Sequence, residues 1–266
     1  MMKIGFVGLG EIGTEMVKRL RAADYPVTVY GRGQGLTEAE KAGATISKDY
    51  AAIAAGCDVL IVCVYRDPQV REILFDHGML VAMKPGAVLI NHTTGSPSLI
   101  REVAEHATGG QLILDATFSG GPADVAGARL TLMIGGDEAS IDAVRPVLST
   151  YASQLFAVGA IGSGQLMKLL NNLLFGTNIM NAVELLKLAE AQGLDTQRVA
   201  QVIHAASGAS YAMDLFRAAP SVSGMMDGAR PYMEKDVATA LSAAREAGLD
   251  VGVFAVTGEY FASPNV

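Results

Sequence analysis

The apolar run Lys3–Val7 leads straight into Gly8-Leu9-Gly10-Glu11-Ile12-Gly13, and that hexapeptide opens an amphipathic stretch, Glu11–Ala22. A strand that passes into a helix through a turn this tight commits the start of the chain to a βα unit. The alternation then continues. Ile4–Val7, Val27–Tyr30, Val59–Val64, Ala87–Ile90 and Leu112–Leu114 read as strands, and Glu11–Ala22, Tyr50–Ala55 and Pro97–His106 as helices. Strands joined by helical crossovers lie parallel, so the first half is expected to form an α/β sheet with helices on both faces. Arg129–Ile134 adds a strand and Glu138–Thr150 a helix, and Gln154–Ala157 closes the region near Gly159.

The second half changes character. No proline interrupts 164–192, and Leu, Met, Ile and Ala dominate it, so one long helix is predicted. At ~1.5 Å per residue it runs roughly 40 Å, enough to act as the spine of a separate helical domain. Its apolar residues cover most of its circumference, which predicts burial in a bundle or against a second copy of the chain, a homo-oligomer of two or four. Lys168, Asn171, Asn172, Asn178, Asn181, Glu184 and Lys187 break it too often for a membrane span. Further helices are expected at Thr196–Ala206 and Pro231–Ala247. The fold class is thus a Rossmann-type doubly wound parallel sheet followed by an all-α domain, with the boundary expected at 160/161.

With 266 residues the chain can build both cores, and 50% hydrophobic against 18% charged residues excludes a disordered protein. A net charge of −7, from 27 acidic and 20 basic side chains, argues against a general nucleic-acid or anionic-membrane partner. Cys57 and Cys63 have no second pair and no histidine at ligand spacing, so neither a disulfide framework nor a metal site is expected. Met1-Met2-Lys3-Ile4-Gly5 leaves no room for a secretory leader, and the expected location is cytoplasmic.

Several residues point to chemistry. Gly8, Leu9, Gly10, Glu11, Ile12 and Gly13 form the GxGxxG pattern in its strand-to-helix context, where the glycines let the backbone approach a pyrophosphate and the helix amides face it. Tyr30-Gly31-Arg32-Gly33 ends the second strand without a carboxylate to accept a ribose 2′-hydroxyl. Arg32 suits a 2′-phosphate instead, so NADP, with NADPH preferred over NADH, is the expected cofactor; a plain solvated arginine is the competing reading. Lys168 lies among apolar residues near the start of the long helix, where desolvation favours the neutral amine and makes proton exchange accessible, although such a lysine can also snorkel to the surface. Asn172 follows one helical turn later and can orient a substrate hydroxyl. Asp115-Ala116-Thr117-Phe118-Ser119-Gly120-Gly121 is expected just beyond a strand, where Ser119 and the free amides of Gly120 and Gly121 can meet a substrate carboxylate, or simply form a turn. Thr93, in Asn91-His92-Thr93-Thr94, reads as a cofactor contact, and Ser96 as a helix cap.

In order and spacing these segments resemble the β-hydroxyacid dehydrogenase family, the group of 3-hydroxyisobutyrate dehydrogenase and the glyoxylate and succinic semialdehyde reductases. The likeness runs from Lys3 to about Gly248. It is carried by the Gly8–Gly13 turn, by Asp115–Gly121 against the family's DAPVSGG, by Gly162–Asn172 against GxGxxxKxxNN, and by Lys235-Asp236. The resemblance implies a small carboxylate-bearing substrate, Lys168 as catalytic acid and base, Ser119, Gly120, Gly121 and Asn172 as substrate contacts, and Lys235 beside cofactor and substrate. Imine reductases of the same architecture and a non-catalytic NADPH-binding regulator are the alternatives. Thr117-Phe118 stands in place of Pro-Val and Asn91 in place of Asp, and the chain after Leu249 is short of the family's final helices, so a reduced substrate domain is expected.

Overall fold

The computed structural model describes residues 1–218 and 222–263. Eight strands, β1 (Ile4–Val7), β2 (Val27–Tyr30), β3 (Thr45–Ile46), β4 (Val59–Val62), β5 (Val88–Asn91), β6 (Leu112–Ser119), β7 (Leu130–Gly135) and β8 (Ala152–Gly159), form one sheet in the order β3-β2-β1-β4-β5-β6-β7-β8. Helices α1 (Glu11–Ala22), α2 (Gly33–Lys41), α3 (Tyr50–Gly56), α4 (Asp67–Arg71), α5 (Met79–Ala82), α6 (Pro97–His106), α7 (Pro122–Ala126) and α8 (Glu138–Leu148) connect them, with a π-helical turn at Glu72–Asp76.

Alternate residues of the central strands feed two cores. Ile4, Phe6, Val59, Ile61, Val88 and Ile90 join Met16, Val17 and Leu20 of α1 and Val144 of α8 on one side. Val7, Leu60, Val62 and Leu89 join Ile53 of α3 and Ile100 and Val103 of α6 on the other. That is why the strands read as unbroken apolar runs: both faces are covered. The chain winds outward in both directions from β1, so the sheet switches between β1 and β4, and Gly8 lies just past that switch.

The expected parallel sheet needs one correction, because β6 and β7 are antiparallel. The link 120–129 is shorter than the dozen or so residues that a parallel crossover requires. The same pairing carries β6 on to Ser119, with Asp115 opposite Gly135 and Ser119 opposite Thr131, so Asp115–Ser119 are strand and not the loop expected from the sequence.

Helices α9 (Ser163–Ala191), α10 (Thr196–His204), α11 (Tyr211–Ala218), α12 (Val222–Glu246) and α13 (Phe254–Ala262) complete the chain. Two compact units result, Met1–Lys168 and Leu169–Val266, and the division falls inside α9. The second unit has its own core, including Ile179, Val183, Phe216, Met233, Val237 and Phe261. α12 starts well before Pro231, which was expected to open it, and Met226, in the turn before that proline, is buried in the second unit's core. The segment after Leu249 supplies a packed helix, with Thr257 and Phe261 buried. Among the described residues no helix is long and apolar enough to cross a membrane.

Candidate active site

The glycine turn separates into positions that the chain itself explains and one that it does not. Gly8 has φ +107°, and a side chain there would collide with the carbonyl of Cys63 at the end of β4. A Cβ on Gly13 would collide with the carbonyl of Gly8. Gly10, by contrast, is exposed, and a Cβ there would meet nothing within 4 Å. It stands at the N-cap of α1, whose first-turn amides have no side-chain cap. An open, Cβ-free approach to bare helix amides fits a dinucleotide pyrophosphate. Leu9 and Ile12 are partly buried against the core, while Glu11 is exposed in the first turn. Gly35 of α2 packs directly on the backbone of Leu9, a buttress not read from the sequence, although Gly33-Gln34-Gly35 signals it.

Arg32 follows β2, occupies the N-cap of α2, is exposed, and forms no ion pair with a carboxylate among the described residues. Beside it Tyr30 stacks on Tyr50 at 3.9 Å and Tyr50 on His77 at 4.4 Å.

The first turn of α9 is bound to the sheet by a buried polar network. Asp115 accepts hydrogen bonds from the amides of Gly162 (2.8 Å) and Gln165 (2.6 Å). The Gln165 side chain accepts from the amide of Gly95 (2.9 Å) and donates to the carbonyl of Thr93 (2.7 Å). Thr117 donates to the carbonyl of Gly164 at 2.8 Å. Burial pushes the Asp115 carboxyl up to about 6, against the lowering effect of the amides it accepts from. Thr93 is 2% exposed, and its amide, hydroxyl and carbonyl all bond within the chain. His92 is buried as well: its Nδ1 donates to the carbonyl of Ala116, its Nε2 accepts from Tyr151 at 3.0 Å, and burial brings its pKa down to about 4. His92 and Gln165 were missed as site residues; for His92 the available signal was a polar residue directly after an apolar strand run, and for Gln165 its place in the Gly162–Asn172 segment beside Lys168.

Lys168 is half-buried one turn further along α9. Ser119 ends β6, and its hydroxyl makes no hydrogen bond among the described residues; Gly120 has φ +126°. The expected free amide of Gly121 is engaged, donating to Asp124 at 2.9 Å as α7 begins.

In the second unit Asn172 and Lys235 share one carboxylate. Asn172 is buried and donates to Asp236 Oδ2 at 2.5 Å, while the Lys235 ammonium lies 3.1 Å from Oδ1. The Asn171 side-chain amide donates to Asn172 Oδ1 at 3.0 Å. Asp236, quoted in the sequence only as part of a motif, is the group that brings these two together.

Residues 3–159 match the model of the NAD-binding domain of 6-phosphogluconate dehydrogenase, and residues 162–265 that of the NAD-binding domain of NADP-dependent 3-hydroxyisobutyrate dehydrogenase. The chain belongs to the β-hydroxyacid dehydrogenase family. It is an oxidoreductase that uses a nicotinamide dinucleotide. It is 34% identical to an uncharacterized oxidoreductase of Shewanella frigidimarina, over 98% of this chain and 91% of that one. It is 30% identical to the NAD-dependent L-serine dehydrogenase of Pseudomonas aeruginosa, over 92% and 86%. The Mycobacterium tuberculosis 3-hydroxyisobutyrate dehydrogenase solved with L-serine superposes with a TM-score of 0.89 at 29% identity, covering 98% of this chain and 93% of that one.

Proposed function

We propose that this β-hydroxyacid dehydrogenase interconverts a small hydroxy acid and its aldehyde or keto acid, prefers NADP(H) to NAD(H), and uses Lys168 as proton donor and acceptor. The reading is carried by the anchoring of the first turn of α9, one turn before Lys168, to the residues that follow β5 and to Asp115 of β6, on the side of the sheet where open α/β folds take their ligands. When bound, the nicotinamide supplies or takes up hydride at the reacting carbon. Lys168 gives a proton to the oxygen on that carbon during reduction and takes it back during oxidation, and its charge stabilises the oxyanion in between. Gly8, Leu9, Gly10, Glu11, Ile12 and Gly13 hold the pyrophosphate, and Arg32 the 2′-phosphate. The Ser119 hydroxyl and Gly120 hold the substrate carboxylate beside the bend of Gly121. Asn172 orients the substrate and Lys235 lies by cofactor and substrate, each set by Asp236.

L-serine and 3-hydroxyisobutyrate, named for relatives, define the substrate class to try. The oligomer is proposed to be a dimer or tetramer, and the compartment cytoplasmic, in keeping with two unpaired thiols. The test is NADPH oxidation with glyoxylate, succinic semialdehyde, methylmalonate semialdehyde and tartronate semialdehyde, run beside Lys168→Ala. Activity with at least one acid, lowered about 10²- to 10⁴-fold in the variant, is expected. Near-normal turnover in Lys168→Ala sinks the lysine assignment. Turnover of a cyclic imine alone points to imine reduction, and NADPH binding without any turnover to a regulator.

A further inference from the structure

Where side chains cap helices in this chain they do so locally, as before α3, α6, α8 and α10, whereas α9 is capped from a distance. Asp49, Asp137 and Asp195 each cap the helix that they directly precede, α3, α8 and α10. Such a cap ties a helix only to its own approach. α9 is preceded by Gly162, at φ +89°, and the carboxylate that meets its first amides belongs to β6, 47 residues earlier in the chain. Space for that carboxylate is cleared by two glycines. A Cβ on Gly135 would collide with Asp115 Oδ1, and one on Gly164 would lie 2.8 Å from Oδ2 and 2.5 Å from the Asp115 carbonyl. Gln165 then ties the same turn to Gly95 and Thr93, and Thr93 in turn accepts a hydrogen bond from the amide of Val64 at 3.0 Å. A fully buried carboxylate is a costly way to cap a helix, and what it adds over a local cap is a fixed position of the helix start relative to the strand ends.

We infer that Asp115 is a positioning residue: together with Gln165 it locks the first turn of α9 to β6 and to the loop after β5, and so sets where Lys168 presents its ammonium. The inference rests on the reading of Lys168 as proton donor. Asp115→Asn keeps the volume but turns an amide donor toward two backbone donors, so one of them loses its acceptor. Amide hydrogen exchange over 160–168, measured on the unliganded protein, is expected to quicken about tenfold or more, while 5–15 is unchanged. With the best carbonyl acid of the panel, kcat is expected to fall about 10- to 100-fold, because an ångström of misplacement has that effect. KM and the NADPH Kd should hold within about twofold, and the primary isotope effect with 4-deuterated NADPH should rise as chemistry becomes limiting.

Gln165→Met removes only the bridge to Gly95 and Thr93 and is expected to show a smaller loss of the same kind; it carries the test should Asp115→Asn fail to fold. Unchanged exchange and unchanged kcat in the folded variants overturn the inference. So does a kcat reduced only in proportion to NADPH-competent protein with the isotope effect unmoved, the mark of a purely structural carboxylate. An inactive Lys168→Ala beside an unaffected Asp115→Asn removes the positioning role alone, whereas a fully active Lys168→Ala removes the lysine assignment and the positioning role with it.

Discussion

Asp115, within β6, and His92, just past the neighbouring β5, are both buried, and burial moves their proton equilibria in opposite senses. Asp115 is held up to about 6 from an ordinary 3.8, so the stability linked to it is fully present below about 3.8 and lost as pH rises through 6. His92 is held down to about 4 from 6.5, so its contribution is fully present above 6.5 and lost as pH falls through 4. Between these limits the two slopes oppose each other. In Asp115→Asn the His92 slope is no longer offset, and thermal unfolding followed from pH 7 to pH 4 should show the wild type gaining on the variant by about 2 kcal/mol. A gap that stays constant with pH would mean that Asp115 is not protonated in this range. Arg32 makes a second prediction at this scale. Removing one charge-assisted phosphate contact is worth about 1.5–3 kcal/mol, so Arg32→Ala should lower the ratio of kcat/KM for NADPH over NADH by about 10- to 100-fold. An unchanged ratio takes Arg32 out of cofactor selection.

The strand, glycine turn and helix that open the chain make an element whose positions can be told apart by experiment. Gly8→Ala places a methyl group against the Cys63 carbonyl at positive φ and should destabilise the fold by about 3 kcal/mol. Gly10→Ala meets nothing in the chain and should change stability by less than about 1 kcal/mol, yet weaken dinucleotide binding, because the methyl group occupies the approach to the helix amides. Thermal melts paired with NADPH titration check both. Equal loss of stability in the two variants would contradict the distinction. The segment from Asp115 to Ser119 carries the opposite lesson, since a stretch rich in Thr, Ser and neighbouring glycines reads as loop until β7 folds back and pairs with it.

At the scale of the whole molecule, α9 is the element with surface left over. Met167, Leu170, Leu174, Leu185 and Leu188 are 39–62% exposed along it. A monomer that shows such a row of apolar side chains has reason to cover it with a second copy of itself. Light scattering at working concentration should give a dimer or tetramer, and Leu170→Lys combined with Leu174→Lys should shift it to monomer. A wild-type monomer would count against the homo-oligomer.

Periodicity and turn chemistry are local, and they were enough to place α1, β1, β2, α6 and most of α9, to mark Gly8 to Gly13 as a tight strand-to-helix turn, and to separate a sheet half from a helical half. Local signals could not reveal that β6 extends to Ser119, that β7 runs antiparallel, or that α12 carries Pro231 inside it, because each depends on a partner distant in the chain. The same holds at the candidate site. Lys168, Asn172 and Lys235 announce themselves as polar residues within recognisable motifs. That Asp115 and Gln165 hold the start of α9, and that one carboxylate, Asp236, joins Asn172 to Lys235, depends on hydrogen bonds between residues 47 to 72 positions apart, which only the folded chain brings within reach.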